Sequence, residues 1–188
     1  MTIRWAFFAF DWARFAEIKP ALKSACESAN FEELKLPEAS AVLDEFDEES
    51  DPAEVANAIV LEICGQGEPV YFEAGLPELI HSLRREVRGE DVAEILGSLI
   101  SGKPNVEDWF SATDGLSGIL APGETTALAS AFAYFRKRYE PPEPPTGFRA
   151  ITRRFVPVET PLDHLTDLME LIDRTVTAEH GLAVLCET

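Results

Sequence analysis

The amino-acid sequence predicts an α+β fold that is mostly helical, with a small mixed sheet that includes the N- and C-terminal strands. Residues 3–10 (IRWAFFAF) and 182–186 (LAVLC) are apolar runs without helix breakers, as in buried strands. Between them, several segments begin with a capping residue or Pro and end at Gly, which is typical of helices. The 188 residues, 46% of them hydrophobic, fit one globular domain with a packed core.

The first half of the chain predicts two helices and a short strand after the opening strand. Asp11 is placed to cap a helix that starts after it, and Pro20 predicts a break or kink in that helix. Asp51 and the following Pro predict the start of a second helix, which ends at Gly65. Residues 65–69 (GQGEP) predict a turn, and VYF after them a short strand.

The second half predicts further helices and a Pro-rich connection. EPPEPP (140–145) suits a stiff polyproline segment and excludes helix or central strand. We therefore predict a single domain over 1–188, in which 140–145 separates a helical 11–139 region from a C-terminal β-α-β segment, 146–188. The remaining expectations are helices over 76–88, 90–101, 105–114, 121–139 and 162–178, a loop at 115–118 (GLSG) and a strand over 148–156.

Composition limits the classes of partner and the compartment. The formal net charge of −18 repels nucleic acids and anionic membranes, whereas a basic protein partner is compatible with it. The three cysteines, Cys26, Cys64 and Cys186, lie far apart and form no C-x-x-C pair, which indicates reduced thiols in a cytoplasm. The apolar run near the N-terminus is too short for a signal peptide or a membrane span.

Motifs for metals, cofactors and catalysis are missing from the sequence. A calcium loop read from Asp47 has Pro52 where the sharp turn needs glycine. The histidines His81, His164 and His180 do not have the spacing of zinc motifs. The sequence also lacks a glycine-rich phosphate loop and a G-x-S-x-G elbow. We therefore predict no metal, no cofactor and no motif-encoded catalytic residue.

The most unusual stretch is EFDEESDPAEV, residues 45–55, which contains several acids and no base. Asp51 and Glu54 suit a helix start, because carboxylates there accept from free N–H groups and face the positive helix end. Four further acids are not needed to cap the helix, and we predict that they form a docking surface for a basic partner. The alternative is a solvated loop without a partner. These four candidate partner-binding residues are Glu45, Asp47, Glu48 and Glu49.

The two chain ends resemble a known family. WAFFAFDWARFAEIKPALK near the N-terminus and LMELIDRTVTAEHGLAVL near the C-terminus are similar to the bacterial YfbM-like family, over about a fifth of the chain. The resemblance implies a strand entering a helix at the first end, and a helix, a short turn and a final strand at the second. It implies no catalytic residue.

These observations favour a non-enzymatic, cytoplasmic interaction or regulatory protein that binds a basic protein, for example an immunity-type inhibitor of a basic toxin. The alternative is a small-molecule enzyme, such as a hydrolase, whose site is assembled from dispersed residues. Cys64, His81 and Arg84 are the residues to inspect for such a site. The sequence does not predict an oligomeric state.

Overall fold

A computed structural model describes residues 3–31, 34–47, 49–73, 76–86, 90–102, 104–110, 115–138 and 163–187. The predicted Pro-rich connection over 140–145 and the predicted strand over 148–156 lie outside these residues, as does Glu48.

The described residues form strands and helices in an α+β arrangement, which confirms the predicted fold class. None of the described helices is long and apolar enough to cross a membrane. The strands are β1 (Arg4–Phe10), β2 (Gly65–Glu73), β3 (Gly115–Leu120) and β4 (Gly181–Glu187). The helices are α1 (Trp12–Ser28), α2 (Ala39–Leu43), α3 (Pro52–Cys64), α4 (Leu76–Glu86), α5 (Glu90–Ser101), α6 (Pro122–Arg138) and α7 (Asp163–Thr177), with a 3-10 turn at Asp108–Phe110.

The sheet has the strand order β2-β1-β4-β3, so the N- and C-terminal strands lie side by side at its centre. Every described pair is antiparallel, and the expectation of a mixed sheet is wrong in this respect. For β1 and β2, the reason is that α1 and α3 carry the chain away from the end of β1 and back to it. The backbone N–H of Asp11 donates to the carbonyl of Cys64 at 2.8 Å, so β2 begins beside the end of β1 and runs the opposite way.

The sheet separates two helical layers with separate cores. Trp5 and Phe7 of β1 pack against α4, α5, α6 and α7. Phe8 and Phe10 of the same strand pack against α1, α2 and α3. Because successive strand residues point to opposite faces, one strand supplies both cores. The described residues therefore form three layers, helix, sheet and helix.

Helix α1 continues through Pro20, so the helix does not break at this residue. Pro20 and Ala16, whose carbonyl loses its usual N–H donor, are both exposed, so water can satisfy that carbonyl. The buried side chains Phe15, Ile18 and Leu22 hold both halves of the helix against the sheet. Tertiary packing thus outweighs the local effect of the proline.

Two strands occupy segments that the sequence assigned to a turn and a loop. The predicted turn over 65–69 is the first part of β2, and the pairing with β1 is irregular there, near Gly67 with its positive φ of 74°. The predicted loop GLSG is part of the buried strand β3. A Cβ on Gly118 would lie 2.7 Å from the carbonyl oxygen of Leu99, so glycine allows α5 to approach this strand closely.

Candidate functional site

Six exposed carboxylates lie at the C-terminal end of α2, in the α2–α3 connection and in the first turn of α3. We call them the acidic surface: Asp44, Glu45, Asp47, Glu49, Asp51 and Glu54. Apolar neighbours hold this segment onto the protein, since Val42 and Val55 belong to the core beneath it and Phe46 packs against that core. Because these apolar side chains pack into or against the core, the acids between them face solvent.

A hydrogen-bonded turn fixes the middle of the acidic surface. The carboxylate of Asp47 accepts from the Ser50 hydroxyl at 2.8 Å and from the Glu49 backbone N–H at 3.1 Å. The Asp47 N–H in turn donates to the Ser50 hydroxyl oxygen at 3.1 Å. The Ser50 hydroxyl and the Glu49 N–H lower the pKa of Asp47 below its ordinary value.

This turn changes the interpretation of one predicted binding residue. Asp47 was grouped with acids that have no structural task, yet it closes the turn that leads into α3. Asp51 caps α3 as predicted, with its carboxylate accepting from the Ala53 N–H at 2.8 Å. Of the other candidates, Glu45 and Glu49 are exposed. Glu48 lies outside the described residues, so its place relative to the others stays a prediction.

Among the residues that the structure describes, no Lys or Arg side chain neutralises the acidic surface. Residues 36–83 contain twelve acids and neither Lys nor Arg. The nearest recorded ion pair is that of Arg14 with Glu38, at 3.2 Å, just before α2. Within the described part of the chain, no member of the acidic surface takes part in an ion pair. Clustered carboxylates without counter-charges repel one another and attract a basic molecule.

The dispersed residues considered for an enzyme are not brought together. Cys64 is fully buried in the core between the sheet and the α1–α3 layer. His81 and Arg84 are exposed on α4, in the layer on the other side of the sheet. Burial, the largest cause, raises the pKa of the Cys64 thiol to about 12, with the nearby Asp11 adding to the effect. Cys64 therefore has the environment of a structural cysteine and not of a nucleophile.

An apolar depression that the sequence did not predict lies beside β2, on the sheet face that α3 covers in part. Its volume is about 300 Å³. Tyr71 is 39% exposed, and the Arg4 guanidinium lies 3.7 Å from the centre of its ring. The polar side chain of Glu62 also lines the depression. The residues that define the apolar depression are Ala6, Phe8, Leu61, Pro69, Tyr71 and Leu185.

Sequence reasoning missed the apolar depression because four separate segments build it. Ala6 and Phe8 come from β1, Leu61 from α3 and Leu185 from β4. The side chain of Ala6 is short, and its strand partners Tyr71 and Leu185 are longer, which leaves space above it. None of these residues has a local pattern that distinguishes it from a core position.

Metal ligands do not cluster in the described part of the chain, where no group of three or more His, Cys, Asp or Glu side chains has a suitable arrangement.

Comparisons with known proteins add no site: no protein-family model, curated protein or solved structure matches this chain. The resemblance of the chain ends to the YfbM-like family stays a prediction. The strand-to-helix and helix-to-strand units that it implied are both present, as β1–α1 and α7–β4.

Proposed function

We propose that this protein is a binding protein whose acidic surface docks onto a basic region of a protein partner. The observation that supports this proposal is the set of six exposed carboxylates on one layer, with no ion pair to any other described residue. A basic partner would relieve their mutual repulsion on binding. It would also associate faster, because complementary charges steer the encounter.

The positions of the individual acids suit contact with a partner. Asp47 and Asp51 accept hydrogen bonds from their own backbone turns, and these bonds fix the path of the segment. Asp44, Glu45 and Glu49 are exposed and make no recorded side-chain hydrogen bond to a described residue. The first two therefore shape the surface, and the other three are free to contact a partner. An immunity-type inhibitor of a basic toxin is one form that such a protein takes.

Charge reversal on matched surfaces tests the proposal. One variant carries Asp44→Lys, Glu45→Lys and Glu49→Lys, which remove no side-chain hydrogen bond to a described residue. The control carries Asp91→Lys, Glu94→Lys and Glu170→Lys on α5 and α7, in the opposite layer. Both variants raise the net charge of −18 by six, so a difference between them reports position and not total charge.

Partners are captured from an extract of the source cells at low salt with tagged wild-type protein and with each variant. A captured protein is then purified, and its association rate is measured at low and high salt. We expect the acidic-surface variant to reduce the rate by about 10-fold or more at low salt, and high salt to shrink the difference. Equal binding of every captured partner to both triple variants would contradict the proposal.

A further inference from the structure

The two outer edges of the sheet differ in how the chain covers them. At β3, the Ile119 N–H donates to the Pro104 carbonyl at 2.9 Å, and the Asn105 amide donates to the Ile119 carbonyl at 2.7 Å. At β2, the backbone groups of residues 66–71 make no recorded hydrogen bond to described residues other than those of the pairing with β1. Within the described chain, β2 therefore presents backbone donors and acceptors to which a further strand can bind.

The apolar depression adjoins this edge and is suited to a side chain of such a strand. Pro69 and Tyr71 belong to β2 itself, and Ala6 lies opposite Tyr71 in the β1–β2 register. A volume of about 300 Å³ is enough to receive one aromatic or branched side chain. In an added strand, alternate side chains point to the same face. One residue would therefore enter the apolar depression, and its neighbours two positions away would lie along the same face.

The charges around the edge favour a basic occupant. Glu62 lines the apolar depression, whereas Glu68 of β2 lines a separate pocket that also contains Arg174 of α7. On the side of the apolar depression, Arg4 is the nearby cation, and it is already engaged with the Tyr71 ring and, at 3.7 Å, with Glu187. A second copy of this chain would bring the same acids to the contact. The irregular pairing near Gly67 and the proline at position 69 also discourage unselective pairing of the edge.

We propose that the outer edge of β2, at Val70 and Tyr71, receives an extended segment of a basic protein partner as an added strand. An apolar side chain of that segment enters the apolar depression, and a Lys or Arg side chain faces Glu62. This inference rests on the proposed function, because the same partner reaches both places. From Asp51 to Glu62, α3 spans about 16 Å at the helical rise per residue, a distance that one small domain covers.

A synthetic peptide tests the pairing directly. The probe is a short peptide in which Lys alternates with Val and Thr around a central Phe. The matched peptide has the same side chains and charge, but the amides along one edge are N-methylated and cannot pair with a strand. Binding is measured by calorimetry, and hydrogen exchange of the β2 amides is followed by NMR with and without each peptide.

We expect the probe to bind and to slow exchange of the outward amide at Val70 or Tyr71. N-methylation should weaken binding by about 10-fold or more, because two or three main-chain hydrogen bonds are lost. Tyr71→Lys should weaken it similarly, since it opens one wall of the apolar depression and adds a like charge. Glu94→Gln on α5, which also raises the net charge by one, is the control for the charge change. The melting temperature of each variant shows whether it is folded.

Three results would overturn the inference. Equal binding of the two peptides would indicate charge attraction alone, and it would leave the proposed function intact if the acidic-surface variant lost that binding. Slow exchange of the outward β2 amides in the free protein would mean that the edge is already occupied. Protection that grows with protein concentration, without peptide, would mean that a second copy is the occupant.

Discussion

Replacement of Asn57 by Ala is expected to destabilise the fold more than any surface change. Asn57 is 2% exposed on α3. Its Oδ1 atom accepts from the Leu116 N–H at 2.8 Å, and its Nδ2 atom donates to the carbonyls of Ala53, at 2.8 Å, and Phe110. One side chain thus ties α3, which carries part of the acidic surface, to β3 and to the 3-10 turn.

The size of the effect follows from the groups that lose their partner. Asn57→Ala removes the bonds to the buried Leu116 N–H and to the Phe110 carbonyl, whereas the Ala53 carbonyl keeps its place in the helix. A buried polar group left without a partner costs about 1–3 kcal/mol, so the variant should lose roughly 2–6 kcal/mol of unfolding free energy. For a chain of this size, the melting temperature should fall by about 2–4 °C for each kcal/mol.

Urea denaturation followed by circular dichroism measures the loss, with two variants as controls. Asn57→Asp preserves the side-chain volume but has no amide donor, and it directs an oxygen at the Phe110 carbonyl; it should be at least as unstable as Asn57→Ala. Thr126→Ala removes a hydroxyl that donates to the Pro122 carbonyl on the exposed face of α6, and should change stability by less than about 0.5 kcal/mol. A loss below about 1 kcal/mol for Asn57→Ala, or near wild-type stability for Asn57→Asp, would refute the reasoning.

Three further predictions concern the chain end, a thiol and acid stability. Deletion of residues 182–188 removes the strand that pairs with both β1 and β3, and should leave an insoluble or molten chain; a sharp, unchanged melting transition would contradict this. Cys64, with a pKa raised to about 12, should resist a thiol reagent at pH 8 until the protein unfolds, as mass spectrometry of the labelled protein would show. The pKa of Glu107 is lowered by Lys19, so the stability from this pair is present above the ordinary value of 4.5 and is lost as pH falls through the lower folded value. Glu107→Gln should therefore make the unfolding free energy depend less on pH in the acidic range. An unchanged pH dependence would argue against a contribution from the pair.

The sequence predicted those elements whose boundaries depend on local chemistry. Helix α3 starts at Pro52 after the Asp51 cap and ends before Gly65, as the capping pattern indicated. Strands β1 and β4 were likewise predicted from uninterrupted apolar runs, and their place in one sheet was expected; the structure adds that they pair directly. In these cases the determinants lie within a few residues of the element that they specify.

The sequence could not predict features that depend on distant segments. Strand β3 contains two glycines, and it is a strand because Gly118 fits against the backbone of Leu99 and because β4 pairs with it. The same distinction applies to the candidate site. The acids of the acidic surface could be recognised in the sequence, but the hydrogen bonds of Asp47 in the turn could not be predicted from it. The apolar depression was missed because its residues come from four different elements.

In the three-layer arrangement, the acidic surface and the apolar depression beside the β2 edge lie on the same side of the sheet. Helix α3 begins at the acidic surface and ends beside the apolar depression, so both lie on the side of the sheet that α1, α2 and α3 cover. The helices α4 to α7 pack on the other face and carry the bases Arg84, Arg136 and Arg174. A basic partner of the proposed kind would be attracted to the acidic surface over a distance of about a Debye length, near 10 Å at moderate salt. Contact at the acidic surface and pairing at β2 would then occur on the same approach, because a single helix connects the two places.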